Sequence, residues 1–284
     1  MLTNLKYCGI VVTEINQGLH NKGDNFMIVA ESNYYEFEEY KNIVEKYVNN
    51  DAREICFQNR VIVCLLEKIF INEENIWIVD VSTQFKNKKS KNHTRNPYAG
   101  EQTPDLLVAE NWAYKNENRN INYYVVIEVK SPILNKNVVK DLTDIKLLEE
   151  LTDYIQHIDK VILTDCHMWR FFEKIKTMPK LKQKLTAQFE EVSVEKFTLT
   201  NGEDEKRIIL RVTNKQNNEW IMEEKKQFIL HDGKNWITKK ISSDIPFEIK
   251  GTPLTVTFSI NEPENWKEFL DYIKDFVLPQ QKNE

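Results

Sequence analysis

Thr103-Pro104-Asp105-Leu106-Leu107-Val108 and, further on, Tyr123-Tyr124-Val125-Val126-Ile127-Glu128-Val129-Lys130-Ser131-Pro132 decide how this chain is read. Both are apolar runs of strand length, and both carry ionised groups where a buried strand should carry none. Side chains two apart on a strand share a face and lie roughly 6–7 Å apart, so Glu128 and Lys130 point one way and Val129 the other. A strand through Pro104-Asp105 pairing alongside, about 4.8 Å away, sets Asp105 beside Glu128. Two such carboxylates repel unless a cation lies between them. Mg²⁺ suits the position, because it takes one or two carboxylates, keeps several waters and accepts a main-chain carbonyl such as that of Val129; Mn²⁺ can substitute. Lys130 beside it can orient or help deprotonate a water, while the metal acidifies that water and screens charge developing at phosphorus. The competing reading is a local Glu128–Lys130 strand ion pair with Asp105 as a turn acid, which is the ordinary meaning of Glu-x-Lys alone. Against it, Val125-Val126-Ile127 before and Pro132 after mark an interior-type strand, where an unpaired acid and lysine cost several kcal/mol.

Working outward, Asn50 or Asp51 can cap a helix over 51–70 whose apolar stripe is Ile55, Ile62, Leu65, Leu66 and Ile69. At about 100° per residue Glu54 falls on the edge of that stripe and aims at the packed face, while Arg60 and Glu67 fall on the far side. A first-turn acid is also favoured by the helix dipole, so this placement alone assigns Glu54 no role. A strand over 76–85 leads into the loop 86–100, where Lys86, Lys88, Lys89, Lys91 and Arg95 occur without an acid. Such a run is usually a solvated face. Its position just before Asp105 makes it a candidate for contact with nucleic-acid phosphates. After Pro132 the spacing predicts a helix over 138–158 and strands at 160–165 and 166–172. This order suits an α/β core with a mixed sheet.

Ahead of this region, 6–15 and 26–30 read as short strands and 34–48 as an amphipathic helix. Behind it, past the lysine-rich segment at 174–184, short alternating runs occur at 194–200, 207–213, 220–222, 227–230, 235–239 and 253–259. Asn201-Gly202 and Asp232-Gly233 have hairpin-turn form. An amphipathic helix over 265–277 closes the chain. No internal repeat and no phosphate loop of the Gly-x-x-x-x-Gly-Lys-Ser/Thr type is present.

The 284 residues, 41% hydrophobic and 29% charged with 7 Gly and 8 Pro, fit a globular chain rather than a disordered or collagen-like one. The net charge of −5 supplies no global field for nucleic acid or anionic lipid, so such contacts must come from local patches. Cys8, Cys56, Cys64 and Cys166 are scattered without metal-ligand spacing, and free thiols in a reducing cytoplasm are expected. No apolar run is long enough for a signal peptide or a membrane span, so the chain is expected to be cytoplasmic.

The run from Glu54 to Phe172 resembles the PD-(D/E)XK fold of the N-terminal nuclease domain of type I restriction enzyme R subunits. The elements carrying the resemblance are Glu54 with Leu65-Leu66, Pro104-Asp105, Ile127-Glu128-Val129-Lys130-Ser131-Pro132, Tyr154, and Leu163-Thr164-Asp165 with Trp169-Arg170-Phe171-Phe172. The resemblance implies an α/β restriction-endonuclease-like core, a mixed sheet flanked by helices, over 51–190. Around it lie an N-terminal extension at 1–50, a β-rich C-terminal lobe at 191–260 and a helix within 261–284 that packs back on the core. It further implies Asp105 and Glu128 as metal ligands, Lys130 as the catalytic lysine, and Glu54 as a helical acid helping to hold metal or water. Glu150 stands where the family's Gln-x-x-x-Tyr pattern has Gln, four residues before Tyr154. It is either an extra ligand or a helix-face acid. The expected activity is Mg²⁺-dependent DNA cleavage in prokaryotic restriction or antiphage defence. A helicase, a methyltransferase, another defence subunit in trans or a second copy of the chain could be the partner. RNA would serve the same chemistry. The rival expectation is a non-catalytic, nuclease-like scaffold or nucleic-acid-binding module.

Overall fold

The two acid-bearing runs become neighbouring strands, one in from the edge of a mixed sheet, because their apolar residues alternate between two faces, each covered by helices. The computed structural model describes residues 36–82, 97–100, 102–113, 120–132, 145–177, 183–188, 192–201, 205–214, 217–230, 255–258 and 263–278. The strands expected at 6–15, 26–30 and 235–239, and the Asp232-Gly233 turn, lie outside the described residues. So do Lys86, Lys88, Lys89, Lys91 and Arg95.

The helices are α1 (Phe37–Asn50), α2 (Glu54–Phe57), α3 (Val63–Ile69), α4 (Ile145–His157) and α5 (Pro263–Val277), with a π-helical turn, Gln58–Ile62, joining α2 to α3. The strands are β1 (Ile76–Asp80), β2 (Leu106–Glu110), β3 (Asn122–Val129), β4 (Lys160–Thr164), β5 (Met168–Lys174), β6 (Gln183–Gln188), β7 (Val192–Asn201), β8 (Glu205–Asn214), β9 (Glu219–Leu230) and β10 (Thr255–Phe258). They form one ten-stranded sheet in the order β1-β2-β3-β4-β5-β9-β8-β7-β6, with β10 added beside β9. The β3–β4 and β9–β10 pairs are parallel and the others antiparallel. A parallel β3–β4 pair needs a crossover, and α4 lies on it.

Leu106, Val108, Val125, Ile127, Val129, Ile162, Trp169 and Phe171 face α1, the α2–α3 helix and α5. Leu107, Ala109, Val126, Val161, Leu163 and Phe172 face α4. The expected α/β class with a mixed sheet between helices is therefore observed. The last helix packs on the core, with Trp266 tilted against Tyr40 and Phe269 edge-on to Trp169.

Three features depart from the sequence reading. Ile55, expected on the buried stripe, is 43% exposed. The wide π turn advances more slowly around the helix axis than an α turn, so residues before it rotate out of phase with Ile62 and Leu65. The strands expected as an added β-rich lobe extend the core sheet itself, because β9 pairs directly with β5 from Met168↔Ile229 to Lys174↔Met222. Two apolar runs within it, 220–222 and 227–230, are one strand, joined through Glu223, Glu224, Lys225 and Lys226. Finally, Cys64 is disulfide-bonded, contrary to the expectation of free thiols, while Cys56 and Cys166 are free. No helix among the described residues is long and apolar enough to cross a membrane.

Candidate active site

Asp105 and Glu128 meet because β2 and β3 are antiparallel with Leu106 opposite Ile127. One step further along that register sets Asp105, the residue just before β2, opposite Glu128. Both lie on the α4 side by alternation with Leu107 and Val126. The Val129 main-chain N–H donates to Asp105 Oδ2 at 2.8 Å. In extended backbone a residue's carbonyl points to the same side as its N–H, so the Val129 carbonyl faces Asp105 as well. The Asp105 carbonyl is itself fixed, accepting the Val81 N–H at 3.1 Å and the Gln58 side-chain amide at 3.3 Å.

Glu128 is buried, and each of its carboxylate oxygens has a donor. Lys130 Nζ donates to Oε1 at 2.5 Å, and the Tyr154 hydroxyl donates to Oε2 at 2.7 Å. Lys130 also donates to Glu150 Oε2 at 3.1 Å. It sits just past β3, where its own N–H bonds to the Thr164 carbonyl at 2.8 Å and prolongs the β3–β4 ladder. Glu150 and Tyr154 are four residues apart on α4 and so share one helix face, directed at the end of β3. Glu54, in the first turn of α2, accepts the Ser131 N–H and acts electrostatically on both Lys130 and Asp105. The Ser131 hydroxyl donates to the Ala52 carbonyl at 2.8 Å, which ties the start of α2 to the end of β3.

Among the described residues, Lys130 is in contact with Glu128 and Glu150 and acts through space on Glu54 and Asp105. Burial is the main reason that both Asp105 and Glu128 hold their protons far above the ordinary carboxylate range. Their mutual repulsion raises Glu128 further, while Lys130 works the other way. Burial alone would lower the Lys130 pKa, yet Glu128, Glu150 and Glu54 outweigh it and the ammonium stays protonated well above its ordinary value. Tyr154 is likewise pushed up by burial and by its bond to Glu128. A protonated Lys130 donates hydrogen bonds and charge, so it is suited to orienting an oxygen rather than to accepting a proton from one.

Of the residues expected at the site, Glu54, Asp105, Glu128, Val129, Lys130, Glu150 and Tyr154 are brought together. Gln58 and Ser131 were not anticipated. Gln58 could have been found, because it lies four residues after Glu54 on the same helix face and is a buried amide in an apolar stripe. Ser131 stands inside the Ile127–Pro132 run but was given no role of its own, because its bond depends on where α2 begins.

Among the described residues no group of three or more His, Cys, Asp or Glu side chains is gathered as a ready-made metal cage. The donor chemistry nevertheless fits Mg²⁺, which needs only one or two carboxylates and fills its remaining positions with water. Asp105, Glu128 and the Val129 carbonyl are hard oxygen donors grouped at the β2–β3 end. The chain matches no protein-family model, no curated protein and no solved structure.

Proposed function

We propose that this chain is a Mg²⁺-dependent nuclease of the PD-(D/E)XK class that hydrolyses phosphodiester bonds in DNA. Prokaryotic restriction or antiphage defence is the setting, and the chain works alone or with a partner in trans. The supporting observation is the meeting of Asp105 and Glu128 at the β2–β3 end, with Lys130 hydrogen-bonded to Glu128 beside them. A core without a reactive task would gain stability from apolar residues at these positions, since buried ionic groups rarely stabilise relative to hydrophobic replacements.

Asp105, Glu128 and the Val129 carbonyl would hold the ion, with Glu54 behind them. Bound there, Mg²⁺ supplies charge neutralisation and acidifies a coordinated water. The protein's own contribution is positional. The Val129 N–H and the doubly bonded Asp105 carbonyl fix Asp105, and Tyr154 fixes one oxygen of Glu128. Lys130 holds its ammonium where it can orient an attacking oxygen and stabilise negative charge at phosphorus. The basic loop residues Lys86, Lys88, Lys89, Lys91 and Arg95 would contact backbone phosphates.

Supercoiled-plasmid nicking in Mg²⁺, with a chelator control, tests this. Parent protein nicks, and Asp105→Ala and Lys130→Ala, folded by circular dichroism, do not. Cleavage by Asp105→Ala at the parent rate would overturn the assignment. The closed Lys130–Glu128 ion pair favours a second reading, a nuclease-like scaffold or nucleic-acid-binding module in which that pair is purely structural. Metal-independent nucleic-acid binding without nicking would support it.

A further inference from the structure

Lys130 is held by two carboxylates from different elements, Glu128 on β3 and Glu150 on α4. A divalent cation and an ammonium cannot both sit in contact with Glu128 Oε1, because like charges at such separation repel strongly in a buried site. Tyr154 already occupies the other oxygen. A cation that binds Glu128 through Oε1 must therefore displace the ammonium, and a displaced buried ammonium needs another anion within reach. Glu150 already provides one at 3.1 Å. Its side chain is 28% exposed against 6% for Glu128, so a shift toward Glu150 carries the ammonium outward from the acid pair.

On the metal-site reading above, we infer that Glu150 is a positioning residue that receives the Lys130 ammonium when a divalent cation occupies Glu128. Lys130 then alternates between two carboxylate poles. It competes with the cation while on Glu128, and stays beside the site when the cation has won. Glu150 in this role is not a metal ligand. It strengthens metal binding by keeping the displaced charge paired in the metal-bound state. A neutral amide at that position could accept a hydrogen bond from the ammonium but could not balance its charge, so moving Lys130 off Glu128 would cost more and the cation would bind more weakly.

The test is Mn²⁺ binding without nucleic acid, read by electron paramagnetic resonance titration on parent, Lys130→Met, Glu150→Gln and the double variant, each checked for folding by its melting curve. Lys130→Met should bind more tightly than parent, because the competing ammonium is gone. Glu150→Gln should bind roughly 5- to 10-fold more weakly, within the usual range of coupling between contacting charges. In the Lys130→Met background the same Glu150→Gln change should alter affinity by less than about 2-fold, since no ammonium remains to be received. Lys130→Gln replaces Lys130→Met should the methionine variant fail to fold. Equal weakening in both backgrounds would overturn the inference alone, and would make Glu150 a simple through-space charge. Parent binding that Asp105→Ala leaves unchanged would overturn the metal-site reading and this inference with it.

Discussion

Replacing Asp105 with asparagine should stabilise the metal-free protein at neutral pH. In the unfolded chain Asp105 has an ordinary pKa near 3.9, whereas burial pushes it up to about 7 in the folded protein. Between those values the folded chain binds a proton that the unfolded chain has lost, so stability falls as pH rises. The destabilisation is complete above the folded pKa and absent below the unfolded one. Glu128, raised to about 8, acts with the same sign. Each titrating proton costs on the order of 1 kcal/mol per pH unit. Between pH 5 and pH 7 the parent should therefore lose a few kcal/mol in chelator, or roughly 5–10 °C in Tm for a chain of this size. Asparagine keeps an oxygen to accept the Val129 N–H, removes one titrating group, and removes the like charge that helps raise Glu128. Its Tm should fall about half as far across the same range, because Glu128 still titrates with burial as its main cause. Mg²⁺ at pH 8 should restore most of the parent's loss and little of the variant's. Melting curves at half-unit pH steps, with chelator or with Mg²⁺, measure this. A variant slope equal to the parent's, or a parent Tm that rises between pH 5 and pH 7, would refute the reasoning.

Two further outcomes concern buried polar pairs. Tyr154→Phe leaves Glu128 Oε2 without its donor and should cost about 1–3 kcal/mol in chelator, measured by urea unfolding; an unchanged midpoint would mean that the bond contributes nothing. Arg170, on β5, grips Glu224 of β9 through two hydrogen bonds of 2.7 Å, and both side chains are buried. Arg170→Met should cost about 3–5 kcal/mol by stranding Glu224, and adding Glu224→Met should recover much of that; a double variant less stable than the single would contradict it.

The acid pair was legible because strand periodicity is local: alternation around Asp105 and Glu128 assigns their faces, and only the pairing of β2 with β3 remained to be assumed. Glu54 was legible from helical spacing, although Ile55 beside it was misassigned. A π turn leaves no mark in hydrophobic periodicity until its phase shift is seen. Gln58 and Ser131 act through main-chain atoms of distant segments, and such contacts depend on how elements dock. The β5–β9 pairing was missed for a related reason. The charges in Glu223-Glu224-Lys225-Lys226 read as a break between strands, whereas Glu223 and Glu224 are buried, Glu224 on Arg170 and Glu223 bonded by Lys225. The strand at Gln183–Gln188 falls between the lysine-rich segment and the first alternating run at 194–200 and was not read as a strand.

The β5–β9 seam also governs how the chain can be cut. A fragment ending at residue 190 would retain the acid pair, Lys130 and α4, and would look from the sequence like a complete catalytic unit. It would also bare the whole hydrogen-bonding edge of β5, whose Met168, Trp169, Phe171 and Phe172 are buried in the intact chain, and it would leave Arg170 without its carboxylate. An apolar strand edge of that kind is a template for pairing with other copies. Trimming the molecule to its chemistry would therefore yield a self-associating fragment, and the later strands are the seal that keeps the earlier ones soluble.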